Sequence, residues 1–125
     1  MGLETTPEII SDEEKRIGSK IPDIIKSMLL WDNGGAQFET SRTNDDIWHL
    51  YAVKDSRSRK HIVRSANYIE RETRSARKWY EFPQDGIALG ANGCGDYLIM
   101  HVGSTDLFVW RHENGEEEET TINPL

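Results

Sequence analysis

The second half of the chain contains three short runs of strand-forming residues separated by glycine-containing turns. The runs read IALG, DYLIMHV and DLFVWRH, at residues 87–90, 96–102 and 106–112. Their spacing and their turn residues predict an antiparallel meander. In the middle run, Leu98, Met100 and Val102 alternate with Ile99 and His101, a pattern typical of a sheet covered on one face. The rest of the chain must supply that cover.

The first third of the chain predicts two helices in tandem. Ser11 and Glu14 match a Ser-x-x-Glu capping box, which opens a short helix that Gly18 ends. Pro22 stands in the first turn of a second helix, whose apolar positions form one stripe. The run DNGG at residues 32–35 stops this helix.

The middle of the chain predicts one strand and one longer helix. Residues 36–46 are polar and turn-like, whereas IWHLY at residues 47–51 is aromatic and branched enough to predict a strand. From residue 61 to residue 80, apolar side chains recur every three or four positions. This period predicts a single helix with one buried stripe.

Charge is distributed unevenly along the chain. The net charge is −7, but residues 54–78 carry nine basic and three acidic side chains, so the remainder sums to −13. An acidic surface repels nucleic acids and favours cationic partners. No apolar run is long enough to span a bilayer, and the N-terminus lacks a secretory signal pattern, so we expect a cytoplasmic protein without membrane contact. The length predicts one domain, 1–125, with an acidic tail from about residue 113 that is mobile or loosely attached.

The stretch GANGCG at residues 90–95 raises the question of an active site. Its glycines match neither a dinucleotide fingerprint nor a P-loop, and a strand rather than a helix follows. Asn92-Gly93 favours a hairpin turn, and Cys94 has no recognised cysteine-enzyme signature around it. No zinc or calcium spacing is present either. We therefore expect a structural turn, and no enzyme, cofactor or metal.

Six landmarks occur in a specific order along nearly the whole chain. They are Ile21-Pro22, Asn33-Gly34-Gly35, Trp48, Phe82-Pro83, Gly95-Asp96, and Trp110 with His112-Glu113. In this order they resemble the SUKH superfamily, the Smi/Knr-like domains. The resemblance implies an α+β fold, a twisted, mostly antiparallel sheet with helices packed against it. Family members commonly continue into a last helix, whereas this sequence ends at Leu125.

The resemblance also implies binding rather than catalysis. Bacterial members of the superfamily look like immunity proteins, which neutralise a polymorphic or contact-dependent toxin, in some cases a nuclease, by occlusion. We expect a basic protein toxin as the partner, since charge steering accelerates association with an acidic inhibitor. The candidate contacts are Asp45, Asp46, Trp48, Asp96, Asp106, Trp110 and Glu113. For each of them the alternative is core packing or a solvated acid.

Three other functions remain open at this level. The same fold could serve as a regulatory interaction scaffold without a toxin, or the glycine turn could belong to an enzyme or a small-ligand binder. Nucleic-acid contact is a minor option, through the basic residues Arg64, Arg71, Arg74, Arg77 and Lys78. We expect a monomer or a weak homodimer. Whether Asp96 only fixes its turn or also faces a partner is left to the structure.

Overall fold

Helices and one curled antiparallel sheet make up the fold, which confirms the α+β class. The computed structural model describes residues 3–125, apart from the side chains of residues 43–45. The elements are α1 (Pro7–Ile17), α2 (Asp23–Trp31), β1 (Gln37–Thr40), β2 (Thr43–Leu50), α3 (Arg59–Arg64), α4 (Ile69–Ala76), β3 (Gly86–Ala91), β4 (Tyr97–His101), β5 (Phe108–Trp110), β6 (Glu117–Glu119) and β7 (Ile122–Pro124). The strand order is β6-β5-β4-β3-β2-β1-β7, and all the neighbours pair antiparallel.

The central strands β3, β4 and β5 form the predicted meander, but both of its faces are covered. Leu98 and Met100 belong to the main core with residues of α1 and α2. Ile99 points the other way and is equally buried, in a smaller cluster with Phe82 and Trp110. The expectation of a sheet covered on one face was therefore wrong. The second cover comes from the end of α4 and the loop that follows it, which a two-residue alternation cannot reveal.

The helix α1 begins earlier than the capping box predicted. Thr6 is its N-cap and accepts a hydrogen bond from the N–H of Ile9 at 3.2 Å, and Pro7 occupies the first helical turn. Glu14 does not close a box with Ser11, because its carboxylate turns inward and accepts the N–H of Ile21 at 2.7 Å. A cap followed by proline fixes the helix start more strongly than the internal Ser-x-x-Glu match.

The single helix predicted between residues 61 and 80 is in fact two helices, α3 and α4. The intervening residues turn the chain, and Tyr68 bridges to Ala52, which donates to the carbonyl of Asn67 and accepts from the N–H of Ile69. The buried carboxylate of Glu13, on α1, then accepts the N–H of Glu70 at 2.8 Å and so caps α4 from a distant part of the chain. Both partners are remote in sequence, so the local apolar period could not show the break.

Two segments expected to be irregular form strands. Residues 37–40, within the predicted turn, are β1, and Phe38 stacks on Trp48 of β2 with ring centroids 6.0 Å apart. The acidic tail supplies β6 and β7, the two edges of the sheet. Only residues 120 and 121 separate these edges, so the sheet must curl until they approach. The N–H of Ser41 donates to the carbonyl of Thr121 at 3.0 Å across this closure.

Candidate functional site

The glycine-rich stretch forms the turn between β3 and β4, which confirms the hairpin prediction. The side-chain oxygen of Asn92 accepts hydrogen bonds from the N–H groups of Cys94, at 2.9 Å, and Asp96, at 3.3 Å. Gly95 has a φ angle of 97°, a left-handed conformation that glycine adopts without strain. Cys94 is exposed, and its thiol has no hydrogen-bond partner among the described residues. The Asn92 side chain therefore holds the turn, and among the described residues no base is hydrogen-bonded to the Cys94 thiol.

Asp96 ties this turn to the next one, between β5 and β6. Its carboxylate accepts the ring Nδ1–H of His112 at 2.8 Å and the backbone N–H of His112 at 3.2 Å. Asn92 donates to the other oxygen at 3.2 Å, and Arg111 lies 3.5 Å from it. Burial alone would raise the pKa of Asp96, but the hydrogen bonds from His112 and Asn92 outweigh it and lower the pKa below the ordinary 3.8. Asp96 is thus an ionised, internally satisfied side chain that fixes two turns together.

The other predicted contact residues fall in three different environments. Trp48 and Trp110 are fully buried in the two clusters, so as placed they present no surface to a partner. Asp46 is half-buried, and its carboxylate accepts a hydrogen bond from Asn92 at 3.3 Å. Glu113 is exposed in the β5–β6 turn, and Asp106 is exposed in the β4–β5 loop at the opposite end of those strands. The side chain of Asp45 lies outside the described residues.

An exposed aromatic pair stands beside the β5–β6 turn. Trp79 and Tyr80 follow α4 and are 51% and 86% exposed. The next residue, Glu81, has a φ angle of 66°, a left-handed conformation that costs a non-glycine residue about 1–2 kcal/mol. Its side chain lies against Gly115, where any Cβ would collide with it. The contact between Glu81 and Gly115 brings the aromatic segment next to the turn that carries Glu113.

We refer to the exposed residues of segments 79–81 and 113–116 as the turn surface. Its carboxylates are Glu81, Glu113 and Glu116, and all three are exposed. The wider segment 106–119 holds six carboxylates and one arginine, and that Arg111 already bonds Asp96 and Glu118. Exposed aromatic rings beside carboxylates can pack against and attract a cationic partner. This arrangement can bind, but it does not assemble a nucleophile, a base and an oxyanion donor.

Sequence reasoning missed the aromatic half of this surface. The single helix predicted over residues 61–80 includes both aromatics, and its buried apolar stripe ends at Tyr80. The available signal was the pair of large aromatics directly before Phe82-Pro83, where a helix must end. Of the four tryptophans, Trp31 and Trp79 are exposed, whereas Trp48 and Trp110 are core residues.

Across residues 3–125, apart from the three undescribed side chains, no group of three or more His, Cys, Asp or Glu residues is placed to hold a metal ion. Within those residues no helix combines the length and the hydrophobicity needed to cross a bilayer.

Comparison with known proteins defines the class. The model of the SMI1 / KNR4 family (SUKH-1) matches residues 4–124. A search of curated proteins finds no match. The chain therefore belongs to the SMI1 / KNR4 family, a family of immunity and interaction domains rather than enzymes. Among the residues that carried the resemblance, Asn33, Trp48, Asp96 and Trp110 are internal in this fold.

Proposed function

We propose that this protein is an immunity protein that neutralises a cognate toxin by occlusion, and that it binds through the turn surface. The observation that carries the proposal is the exposed pair Trp79 and Tyr80 beside Glu81, Glu113 and Glu116. Tryptophan and tyrosine are enriched among residues that dominate binding energy at protein interfaces. The neighbouring carboxylates would speed association with a basic toxin and would also take the place of nucleic-acid phosphates if the toxin is a nuclease.

The rigidity of this surface supports the proposal. Asp96 and His112 join the β3–β4 and β5–β6 turns, and Glu81 packs on Gly115. A binding surface that is already ordered loses less conformational entropy on association than a mobile one. The internal contacts of Asp96 thus support a positioning role, with the neighbouring exposed side chains as the contacts.

The test requires the toxin domain encoded next to this chain, produced in an inactive form. We expect Tyr80→Ala combined with Glu113→Lys and Glu116→Lys to weaken binding by at least about 30-fold, because a hot-spot residue contributes about 2 kcal/mol or more. Trp31→Ala combined with Glu8→Lys is the matched control, since Trp31 is 77% exposed and Glu8 is exposed on α1. Equal weakening by both variants, or by neither, would remove the turn surface from the interface.

A regulatory interaction scaffold is the second candidate. It is favoured by one observation, the exposed basic residues Arg59, Lys60 and Arg64 on α3, because a scaffold contacts more than one partner and these residues form a second surface of opposite charge. Capture of proteins from the source cell on the immobilised chain separates the two functions. One partner encoded beside the chain supports the immunity protein. Several unrelated partners that bind at different surfaces support the scaffold.

A further inference from the structure

The helix α3 is basic and largely exposed. None of its six residues is buried. Ile62 and Val63 are 52% and 65% exposed. Arg59, Lys60 and Arg64 are exposed and have no ion pair among the described residues. We refer to these five residues as the α3 surface.

Several other cations of the basic cluster make contacts within the fold. Arg57 binds the buried carboxylate of Asp55 at 2.8 Å. Arg77 donates to the carbonyl of Gly86 at 3.2 Å, and Arg71 donates to the carbonyl of Ala66 at 3.0 Å. Hydrogen bonds to carbonyls leave the charges of Arg71 and Arg77 in place, and Lys78 is also exposed. What sets α3 apart is that its three exposed cations surround two exposed aliphatic side chains.

This chemistry fits a protein surface better than a nucleic acid. Phosphate contacts need cations and polar donors, whereas Ile62 and Val63 would remain exposed between phosphates. A long polyanion would also meet the −13 carried outside residues 54–78. The favoured occupant is a compact acidic surface that also presents large apolar side chains.

The turn surface of the same protein has those properties. It offers the carboxylates Glu113 and Glu116 to the cations of α3, and it offers Trp79 and Tyr80 to the aliphatic pair. Arginine and lysine also stack favourably on the faces of aromatic rings. The two surfaces are therefore complementary in charge and in apolar contact.

Within one molecule the two surfaces cannot meet. The α3 surface precedes the first residue of α4, whereas Trp79 and Tyr80 follow its last turn. The eight residues of α4 rise about 1.5 Å each, or about 12 Å along the helix axis. Complementary surfaces that are held apart in one copy remain available to another copy.

We propose that the protein associates head to tail, the α3 surface of one copy binding the turn surface of a second copy. Such a contact is heterologous, so it extends into short chains or closes into a ring. Each contact covers one turn surface. If the turn surface binds a toxin, as proposed above, self-association competes with toxin binding, and a covered turn surface binds toxin only after the oligomer dissociates. The assembly itself does not depend on that function.

Sedimentation velocity of the purified chain tests the proposal directly. We expect oligomers at about 0.01 M ionic strength, where the Debye length is about 30 Å, and dissociation at about 1 M, where it is about 3 Å. Neutralising α3 with Arg59→Gln, Lys60→Gln and Arg64→Gln should give a monomer in low salt. The matched control, Lys15→Gln with Lys20→Gln, removes exposed positive charge next to α1 and should leave the oligomers intact.

A mixing experiment distinguishes this arrangement from other contacts. A second variant, Tyr80→Ser with Glu113→Gln and Glu116→Gln, removes the turn surface but keeps α3. Each variant alone should be monomeric, whereas an equimolar mixture should form a one-to-one dimer and no longer species. A wild-type monomer in low salt, oligomers that persist in either variant, or a mixture that stays monomeric would each overturn the proposal. These measurements contain no toxin, so they can fail independently of the proposed function.

Discussion

The imidazole of His112 donates to the carboxylate of Asp96 at 2.8 Å and thereby joins two turns at one end of the sheet. The two residues are sixteen positions apart in the chain. Gly95 makes the approach possible, because a Cβ at that position would lie 3.0 Å from the His112 ring. The Gly95-Asp96 landmark therefore serves the internal geometry of the fold. It places the β5–β6 turn, and with it the turn surface, in a fixed position.

Replacing Asp96 tests this role. We expect Asp96→Ala to destabilise the fold by about 1–3 kcal/mol, because Asn92 and the backbone N–H of His112 lose their buried acceptor. Urea unfolding followed by circular dichroism measures the change. The control is Asp106→Ala at an exposed acid, which should stay within about 0.5 kcal/mol of the wild type. A similar fall in the free energy of unfolding in both variants would show that the hydrogen bonds of Asp96 do not stabilise the fold more than an exposed acid does.

Asn33 gives a second stability prediction. Its buried amide donates to the carbonyl of Val53 at 2.9 Å and accepts the N–H of Val53 at 2.8 Å, as a paired strand would. Asn33→Ala leaves both backbone groups unsatisfied, each at a cost of about 1–3 kcal/mol. We expect a clear fall in the urea midpoint, with Asn67→Ala at an exposed asparagine as the control. An unchanged midpoint for Asn33→Ala would show that Val53 finds other partners.

His101 makes stability depend on pH near neutrality. Burial alone would lower the pKa of His101, but hydrogen bonds to Asp85, at 2.9 Å, and Glu117, at 2.5 Å, outweigh it and raise the pKa above 6.5. A raised folded-state pKa stabilises the fold fully below 6.5, and this stabilisation is lost as the pH rises through the folded value. We expect the free energy of unfolding to fall more steeply above pH 6.5 in the wild type than in His101→Gln. If the free energy of unfolding depends on pH in the same way in the wild type and in His101→Gln, His101 does not bridge the carboxylates of Asp85 and Glu117.

The placement of the tryptophans predicts a fluorescence result. Trp31 and Trp79 are more than half exposed, whereas Trp48 and Trp110 have no exposed surface. We expect acrylamide to quench the tryptophan fluorescence of the native protein in two classes, one from accessible and one from protected tryptophans. Trp31→Phe combined with Trp79→Phe should remove the accessible class and leave the fold intact. If quenching in this variant stays as strong as in the wild type, one of the core tryptophans must be accessible.

Local signals predicted the elements whose partners lie close in sequence. The glycine turn between β3 and β4 and the meander around it depend on contacts within about twenty-five residues, and both were predicted. Gly18 and the DNGG run ended their helices as expected. The start of α1 was misplaced because two local cap patterns compete there, and the pair Thr6-Pro7 prevails.

The failures share a cause, which is a partner distant in the chain. Glu13 caps α4 from 57 positions away, and Ser41 binds Thr121 from 80 positions away. The first contact helps split the predicted long helix, and the second holds the tail against β1. Neither of these long-range contacts can be predicted from the composition or from the spacing of apolar residues. Two of the predicted contact residues, Trp48 and Trp110, are buried by partners that are likewise distant in the chain.

The sequence by itself determined the fold class, the family resemblance and the separation of a basic segment from an acidic remainder. The spacing of apolar residues, the residue types in turns and the charge are local properties, so they can be read from a single sequence. Only the tertiary structure decided which aromatic residues are exposed, because Trp48 packs in the main core and Trp110 packs against Phe82, whereas Trp79 and Tyr80 lie beyond the end of α4. It also decided that Asp96 is satisfied internally and that α3 and the turn surface lie at opposite ends of α4.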